Sequence, residues 1–220
     1  MDKNIISQRI LQIQEEISKL SSTLYAMNNS DIFKYPDNYE ILSTDAALRS
    51  EAITCRLRHL LYSSTNLKKP KYLISAGIVQ DIQIEQKNEI FEITLPCLLP
   101  KRKQKQSAEF LIDPVYFTLS NYADTHNMPR FHHCVICFTH VYNRNLNIKR
   151  IRDYDNLELK QLLDVITTFV MEDDTGYLCD IYNTIDFGDN DCTRISIMEK
   201  NQYIKWLVER EKRRKSMSNF

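Results

Sequence analysis

The first 28 residues carry an apolar repeat that restricts this segment to a helix with a buried seam. Apolar residues alternate at spacings of four and three, at Ile6, Ile10, Ile13, Ile17, Leu20, Leu24 and Met27. This heptad pattern predicts that the helix packs along one stripe against another helix. The polar run Asn28-Asn29-Ser30-Asp31 is expected to end it.

A second helix is predicted to start at Ser43-Thr44-Asp45 and to run to about Tyr62. Two interpretations of the helix pair stay open. Either the two helices form an antiparallel hairpin that packs on the rest of the protein, or the heptads form a dimeric coiled coil. The segment 63–71 reads as a linker, so we expect a helical extension over residues 1–66 and a second domain over residues 67–220.

Charge and glycine content narrow the function classes. The 29 basic and 29 acidic residues give a net charge of zero, which excludes a globally basic nucleic-acid binder and an acidic disordered tail. Three glycines argue against glycine-rich phosphate loops. The chain has no stretch of 18 apolar residues, so we expect no membrane partner. Its six scattered cysteines predict reduced thiols and a cytoplasmic location.

The second domain alternates strand and helix patterns. Helices are predicted from Asp113-Pro114 to about residue 123 and over 156–170, and a basic tail over 212–215. Strands are expected over 78–86, 90–95, 133–142, 178–185 and 193–198, with Lys87-Asn88 as the first turn. The strand over 133–142 is apolar on both faces and should be central. The predicted class is α+β, a small mixed sheet with helices on one face, preceded by the helical hairpin.

Carboxylates cluster around the helix predicted over 156–170. Asp153 and Asp155 are two residues apart, so in an extended segment they project to one side. Glu172-Asp173-Asp174 follows the helix, and the two acidic ends meet only if the return strand folds back or a second chain supplies one end. Such oxygen ligands suit Mg²⁺ or Mn²⁺, which can activate water to hydrolyse a phosphodiester. Alternatively, Asp155 and Asn156 cap the helix and the other acidic residues are solvated.

The stretch from Arg152 to Lys160, then Leu163-Asp164 and Glu172-Asp173-Asp174, resembles the signature of RusA-like Holliday junction resolvases. The resemblance covers about residues 89–200. The whole chain also resembles an uncharacterised protein family common on mobile elements of Gram-positive bacteria. The lysine and the helix aspartate each lie one residue further along than in the RusA-like pattern.

This resemblance implies an α+β domain that dimerises and cleaves branched DNA with Mg²⁺ or Mn²⁺. By position, Asp153, Asp155 and Asp174 would be metal ligands and Lys160 the catalytic cation. The residues that would support the site are Asn156, Asp164 and Asp173.

Basic residues on two loops are candidates for binding the DNA backbone. They are Lys101, Arg102, Lys103, Lys105, Arg144, Lys149, Arg150 and Arg152. The alternative is that each run is a solvated charged surface.

Cys134 and Cys137 form a CxxC motif beside three histidines, which suggests zinc. Within a strand, however, these two positions point to opposite faces. Buried thiols in a central strand are therefore favoured over a zinc site or a redox pair.

Three functions follow from different classes. The first is a Mg²⁺-dependent, structure-selective endonuclease that acts as a homodimer on branched DNA. The second is a catalytically inactive DNA-structure-binding protein on the same fold, which the displaced lysine motivates. The third is an adaptor that binds partners through the heptad helix.

Overall fold

The computed structural model of the chain describes residues 3–100 and 105–217. It divides into two compact units, the first ending at Lys69 and the second beginning at Pro70. The sequence placed this boundary after residue 66. Among the described helices, none is both long and apolar enough to cross a membrane.

The first unit consists of two long helices, α1 (Lys3–Asn28) and α2 (Pro36–Ser64). Their contacts show that they run antiparallel, because Arg9 Nη1 lies 3.1 Å from His59 Nδ1 while Thr23 Oγ1 donates to Asp45 Oδ2 at 2.9 Å. The predicted N-terminal helical hairpin is confirmed. The coiled-coil dimer stays a prediction.

The start of α2 corrects the sequence prediction by seven residues. The helix begins at Pro36 rather than at Ser43-Thr44-Asp45. Proline suits the first helical turn because its fixed φ is helical and because an N–H at this position would have no partner within the helix. Ser43 Oγ instead donates to Glu40 O inside the helix at 3.0 Å, so it does not cap one.

The buried seam of α1 differs from the predicted one. Ile13 is buried as expected, but Ile10, Ile17 and Leu24 are 41%, 47% and 50% exposed. The positions one residue before these three turn toward α2, namely Arg9, Glu16 and Thr23, each hydrogen-bonded to an α2 side chain. The hairpin interface therefore alternates apolar and polar contacts.

The second unit is an α+β body around a five-stranded sheet, and the predicted class is confirmed. Its helices are α3 (Lys69–Val79), α4 (Lys105–Thr125), α5 (Lys160–Val170) and α6 (Lys200–Met217). Its strands are β1 (Gln83–Lys87), β2 (Ile90–Leu95), β3 (Cys134–Asn143), β4 (Cys179–Gly188) and β5 (Cys192–Glu199). The order is β1-β2-β5-β3-β4, in which only β3 and β4 are parallel.

Both faces of the sheet are covered. Side chains of one face, such as Ile136 and Ile195, join the main core with Val115 of α4 and Ile166 of α5. Val135, Cys137 and Met198 project to the other face and pack with Trp206 of α6. Helix α6 covers this second face, so helices lie on two faces rather than on the predicted one. The basic run 212–215 is the end of α6 and not a free tail.

Two helices of the body start where the sequence did not place them. The segment 69–79 is α3, with Leu73 and Gly77 buried, whereas the sequence predicted a linker up to residue 71 and a strand from residue 78. Helix α4 starts at Lys105, and Pro114 lies inside it instead of in its first turn. Pro114 cannot donate to the carbonyl of Phe110, which instead accepts from Gln80 Nε2 at 3.4 Å.

The turn between β1 and β2 is Asn88-Glu89, one residue later than predicted. Lys87 pairs with Ile90, and both turn residues have positive φ, 48° and 68°. Such a pair is typical of a type I′ turn, whose twist matches that of the two strands.

Candidate functional site

The acidic turn that contains Asp153 and Asp155 lies beside the last residues of β3, where Tyr154 packs over His140. A single 3₁₀ turn, Tyr154–Asn156, follows Asp153. Asp153, Asp155 and Asn156 are exposed. The two carboxylates thus reach solvent from one short turn at the carboxyl end of a buried strand.

Neither carboxylate caps a helix. Asp153 makes no side-chain hydrogen bond to the 3₁₀ turn, and α5 starts only at Lys160, with Leu159 as its N-cap residue. The predicted start at Asn156 is wrong because Leu157 is buried in the core and the Glu158 N–H donates to Pro100 O at 2.9 Å. The expected capping role of Asp155 and Asn156 is therefore not seen.

Two contacts of Arg152 hold the turn against the sheet. Its backbone N–H donates to the Tyr142 hydroxyl at 3.2 Å, and Nη1 donates to Leu99 O at 3.0 Å. Tyr154 lies over His140, with the ring centroids 5.8 Å apart. The turn is thus anchored on both sides of Asp153.

His140 is an unusual buried group beneath this turn. It is 1% exposed, and neither ring nitrogen has a hydrogen-bond partner among the described residues. Burial lowers the pKa of His140 from its ordinary value of 6.5; the nearby Asn183 amide opposes this shift, although its geometry makes no hydrogen bond. The uncharged His140 ring is thus a buried polar group between β3 and the Tyr154 side chain.

The second acidic segment lies at the opposite end of the sheet. Glu172 N–H donates to Phe131 O at 3.0 Å, which places this segment before the start of β3. The Glu172 side chain pairs with His132, and Asp173 Oδ1 accepts from the Asp174 N–H at 2.8 Å. Asp174 is half-buried.

One chain therefore keeps the predicted metal ligands apart. Helix α5, which runs between the two acidic segments, has 11 residues and a length of roughly 16 Å. Within residues 3–100 and 105–217, no three His, Cys, Asp or Glu side chains are grouped to hold a metal ion. Lys160 and Asp164 are exposed on α5, nearer the Asp153–Asp155 end.

The predicted DNA-binding cations have different surroundings. Lys149 is exposed, whereas Arg144 Nη2 pairs with Asp189 at 3.3 Å and Arg152 anchors the turn. Lys101, Arg102 and Lys103 lie outside the described residues, as do the side chains of Lys105 and Arg150.

The cysteines of the CxxC motif are separated by the sheet, as predicted. Cys134 is buried in the main core beside Met171, and Cys137 is buried on the α6 face. Burial raises the pKa of Cys137 to about 12, so this thiol stays protonated at neutral pH. Both are free thiols.

One family model matches residues 2–220, almost the whole sequence. The chain belongs to this family, described as a family of unknown function (DUF6100). Comparison of this DUF6100 chain with curated proteins gives no significant match. The site is therefore interpreted from its own geometry.

Two residues of the DUF6100 site were not connected to the acidic turn by sequence reasoning: His140, which was considered only beside the CxxC motif, and Asn183. A signal for His140 was present, because it is a titratable residue inside the apolar run 134–142. Asn183 gave none, since it comes near His140 only through the parallel pairing of β3 and β4.

Proposed function

We propose that this chain is a Mg²⁺- or Mn²⁺-dependent endonuclease that acts on branched DNA such as Holliday junctions, works in the cytoplasm and resembles RusA-like resolvases. The observation that carries the proposal is the unassigned pair of Asp153 and Asp155. Both are exposed on one anchored turn, and among the described residues neither side chain caps a helix or forms an ion pair. Helix capping therefore does not account for these two carboxylates.

The donor set suits a hard divalent cation. Mg²⁺ is commonly held by one or two carboxylates together with water and substrate phosphate, so the Asp153–Asp155 turn is a sufficient protein contribution for initial binding. Such an ion would polarise the phosphodiester and favour ionisation of a bound water. Asp174 is the candidate third ligand.

The chain's own residues would hold and neutralise the DNA backbone. Lys160 begins α5 with its side chain exposed, close in sequence to the acidic turn, where its charge can offset charge that develops on a phosphate. Lys149 is exposed on the preceding loop and can bind a neighbouring phosphate. Arg152 contributes by fixing the turn, because its guanidinium donates to Leu99 O.

A second candidate function is binding of DNA junctions without cleavage. The separation of Asp174 from Asp153 and Asp155 within one chain favours it, since a lone pair of carboxylates can bind a cation without completing a catalytic site. Both candidates predict junction binding that weakens as salt increases.

Cleavage of a labelled four-way junction, compared with linear duplex of the same sequence, tests the proposal. The assay is run with Mg²⁺, with Mn²⁺ and with EDTA, on the wild type, Asp155→Asn and Lys160→Ala. The matched controls are Asp124→Asn and Lys205→Ala, which change exposed residues of the same charge away from the acidic turn.

We expect metal-dependent nicks at the junction that Asp155→Asn reduces at least 100-fold, with junction binding kept and both controls near wild type. A junction that is bound but never cut, with either metal, would establish the second function instead. Absence of both binding and cleavage would contradict both.

A further inference from the structure

Three sulfur atoms meet in the main core beside the first residues of β3 and β4. Cys134 Sγ lies 3.5 Å from Met171 Sδ, and Cys179 Sγ lies 4.0 Å from the same atom. Cys134 and Cys179 are direct partners in the parallel pairing of β3 with β4, and Met171 is the residue that follows α5. We call these three side chains the sulfur cluster.

The sulfur cluster is closed to solvent. Cys134, Met171 and Cys179 are all buried in the main core. The cluster differs from a set of three His, Cys, Asp or Glu side chains because its third donor is a thioether. It therefore offers two thiols and one neutral sulfur, all of which are soft ligands.

The two thiols of the cluster share a proton. A hydrogen bond from Cys134 lowers the pKa of Cys179 despite its burial, and the Ile136 backbone N–H lowers it further. The same contact with Cys179, together with burial, raises the pKa of Cys134. A negative sulfur at Cys179 thus has two donors that stabilise it, and the thiolate is the form of cysteine that binds metal ions.

The donor set narrows the choice of metal. Thiolate and thioether sulfurs favour Cu(I), zinc and iron–sulfur clusters. Structural zinc is almost always held by four ligands, and iron–sulfur clusters are usually held by four cysteines. The sulfur cluster has three donors, and its burial keeps water from supplying a fourth. Cu(I) is the ion of this group that accepts a lower coordination number.

We propose that Cys134, Cys179 and Met171 bind one Cu(I) ion, with both cysteines as thiolates and the methionine as a neutral third ligand. Three sulfurs around one ion at about 2.3 Å, the usual metal–thiolate distance, lie about 4 Å from one another. The spacings of 3.5 and 4.0 Å are close to this arrangement. Binding releases one proton from each thiol and leaves the copper monovalent, so no oxidant or reductant takes part.

An ion can reach the sulfur cluster through a local opening of the segment 172–178. This segment joins Met171 to Cys179, and most of its residues are exposed. Its acidic residues Asp173 and Asp174 attract cations to this end of the sheet. The copper site does not depend on the proposed nuclease activity, because none of its sulfur ligands belongs to the acidic turn at the other end.

Titration of the reduced protein with Cu(I) under argon, in competition with the chelator bicinchoninate, tests the site. The exposed and half-buried thiols are first removed by Cys55→Ser, Cys97→Ser and Cys192→Ser, so that the thiols that remain are buried. We expect this background protein to bind one Cu(I) per chain and to bind Zn²⁺ about 100-fold more weakly. Tighter binding of Zn²⁺ than of Cu(I), or no binding of Cu(I), would overturn the proposal.

Matched variants in the same background locate the ion. Cys179→Ala and Met171→Leu each remove one ligand, and Met171→Leu keeps the side-chain volume, so it should fold even if the cysteine variant does not. Cys137→Ala and Met198→Leu are the controls, because they change a buried thiol and a buried thioether on the α6 face. We expect the Cu(I) affinity to fall about 100-fold for Cys179→Ala and about 10-fold for Met171→Leu, with both controls near the background. Unchanged affinity in Cys179→Ala and Met171→Leu would place the ion elsewhere and overturn the site.

X-ray absorption of the bound copper counts its ligands independently of affinity. We expect three sulfur neighbours in the background protein and in Met198→Leu, but two in Met171→Leu. The same number of sulfurs in all three proteins would remove Met171 from the site, and nitrogen or oxygen neighbours in the background protein would contradict the sulfur cluster as the binding site.

Discussion

The hairpin and the body are both built from amphipathic elements, but they bury very different amounts of apolar surface. In α1 and α2 the described buried side chains are Ile13, Ala46 and Ile53. In the body one continuous core joins four strands to α4 and α5. Since burial is the main stabilising term in folding, the body should be stable by itself, whereas the hairpin depends on few contacts.

Polar contacts supply part of what the hairpin lacks. Arg49 Nη1 pairs with Glu16 at 3.1 Å, and its Nε pairs with Asp45 at 2.7 Å. Exposed pairs of this kind contribute little free energy but select one alignment of two helices. The hairpin is therefore aligned by charge, while the body is aligned by packing.

The largest expected effect that separates the two units is Ile166→Ala. Ile166 is fully buried between α5 and the sheet, so its truncation leaves a cavity and should cost the body about 2–5 kcal/mol. Urea unfolding followed by the fluorescence of Trp206, the only tryptophan, measures this loss. Half-buried Val165→Ala on the same helix should cost less, and equal losses would contradict the described core.

A second prediction adds a side chain to the packed interior of the body instead of removing one. A Cβ at Gly77 would overlap with Thr118 Oγ1, so Gly77→Ala must turn the Thr118 side chain into another rotamer or move α3 away from α4. We expect a loss of about 2–3 kcal/mol by the same unfolding measurement. Gly176→Ala is the control, because a Cβ there has no atom within 4 Å, and it should leave the unfolding midpoint unchanged.

The hairpin seam is tested by comparing Ile13→Ala with Ile10→Ala. Ile13 is 5% exposed and Ile10 is 41% exposed, so the first change should cost about 2 kcal/mol of hairpin stability and the second much less. Far-UV circular dichroism during thermal unfolding reports the helices, and Trp206 fluorescence should not change. A larger loss of stability for Ile10→Ala than for Ile13→Ala would instead support the seam predicted from the apolar repeat.

The smallest expected effect is an acid-dependent loss of the hairpin. The hydrogen bond from Lys19, with Arg49 nearby, lowers the pKa of Glu16 below 4.5, and Arg49 and Thr23 lower the pKa of Asp45 below 3.8. Both carboxylates thus stabilise the folded hairpin above these values, and the contribution is lost as the pH falls through the lowered folded pKa values.

Helical content measured against pH at low salt checks this, because salt screens exposed pairs. Arg49→Met should reduce the change, because it removes the main partner of Asp45 while Lys19 still lowers the pKa of Glu16. Lys68→Met changes an exposed cation that forms no ion pair among the described residues, so it should keep the full change. If Arg49→Met titrates like the wild type, the Arg49 pairs do not align the hairpin.

The apolar pattern of the sequence was enough to predict the elements that are buried along one face or on all sides. The strand that became β3 was placed correctly because every position from Cys134 to Tyr142 is apolar or buried. The hairpin was also predicted, but not its seam, since Arg9 and Glu16 face α2 through polar partners that the apolar repeat does not reveal.

The wrong helix boundaries have local causes that depend on distant residues. Helix α4 continues through Pro114 because Gln80, thirty positions before Phe110, donates to the carbonyl that proline leaves free. The start of α5 is delayed because Glu158 bonds to Pro100. Similarly, the sequence shows a histidine at position 140, but only the structure shows that its ring lies beneath Tyr154 and has no hydrogen-bond partner among the described residues.

The strand order has a consequence for how the protein is made. β5 lies in the middle of the sheet between β2 and β3, yet it is the last strand to be synthesised. During synthesis β2 cannot pair with β5 until about a hundred further residues have been added, and pairings between such distant segments form slowly. The hairpin can fold early, whereas β3 stays open on one side until Cys192–Glu199 emerges, a period during which chaperones have the greatest opportunity to bind.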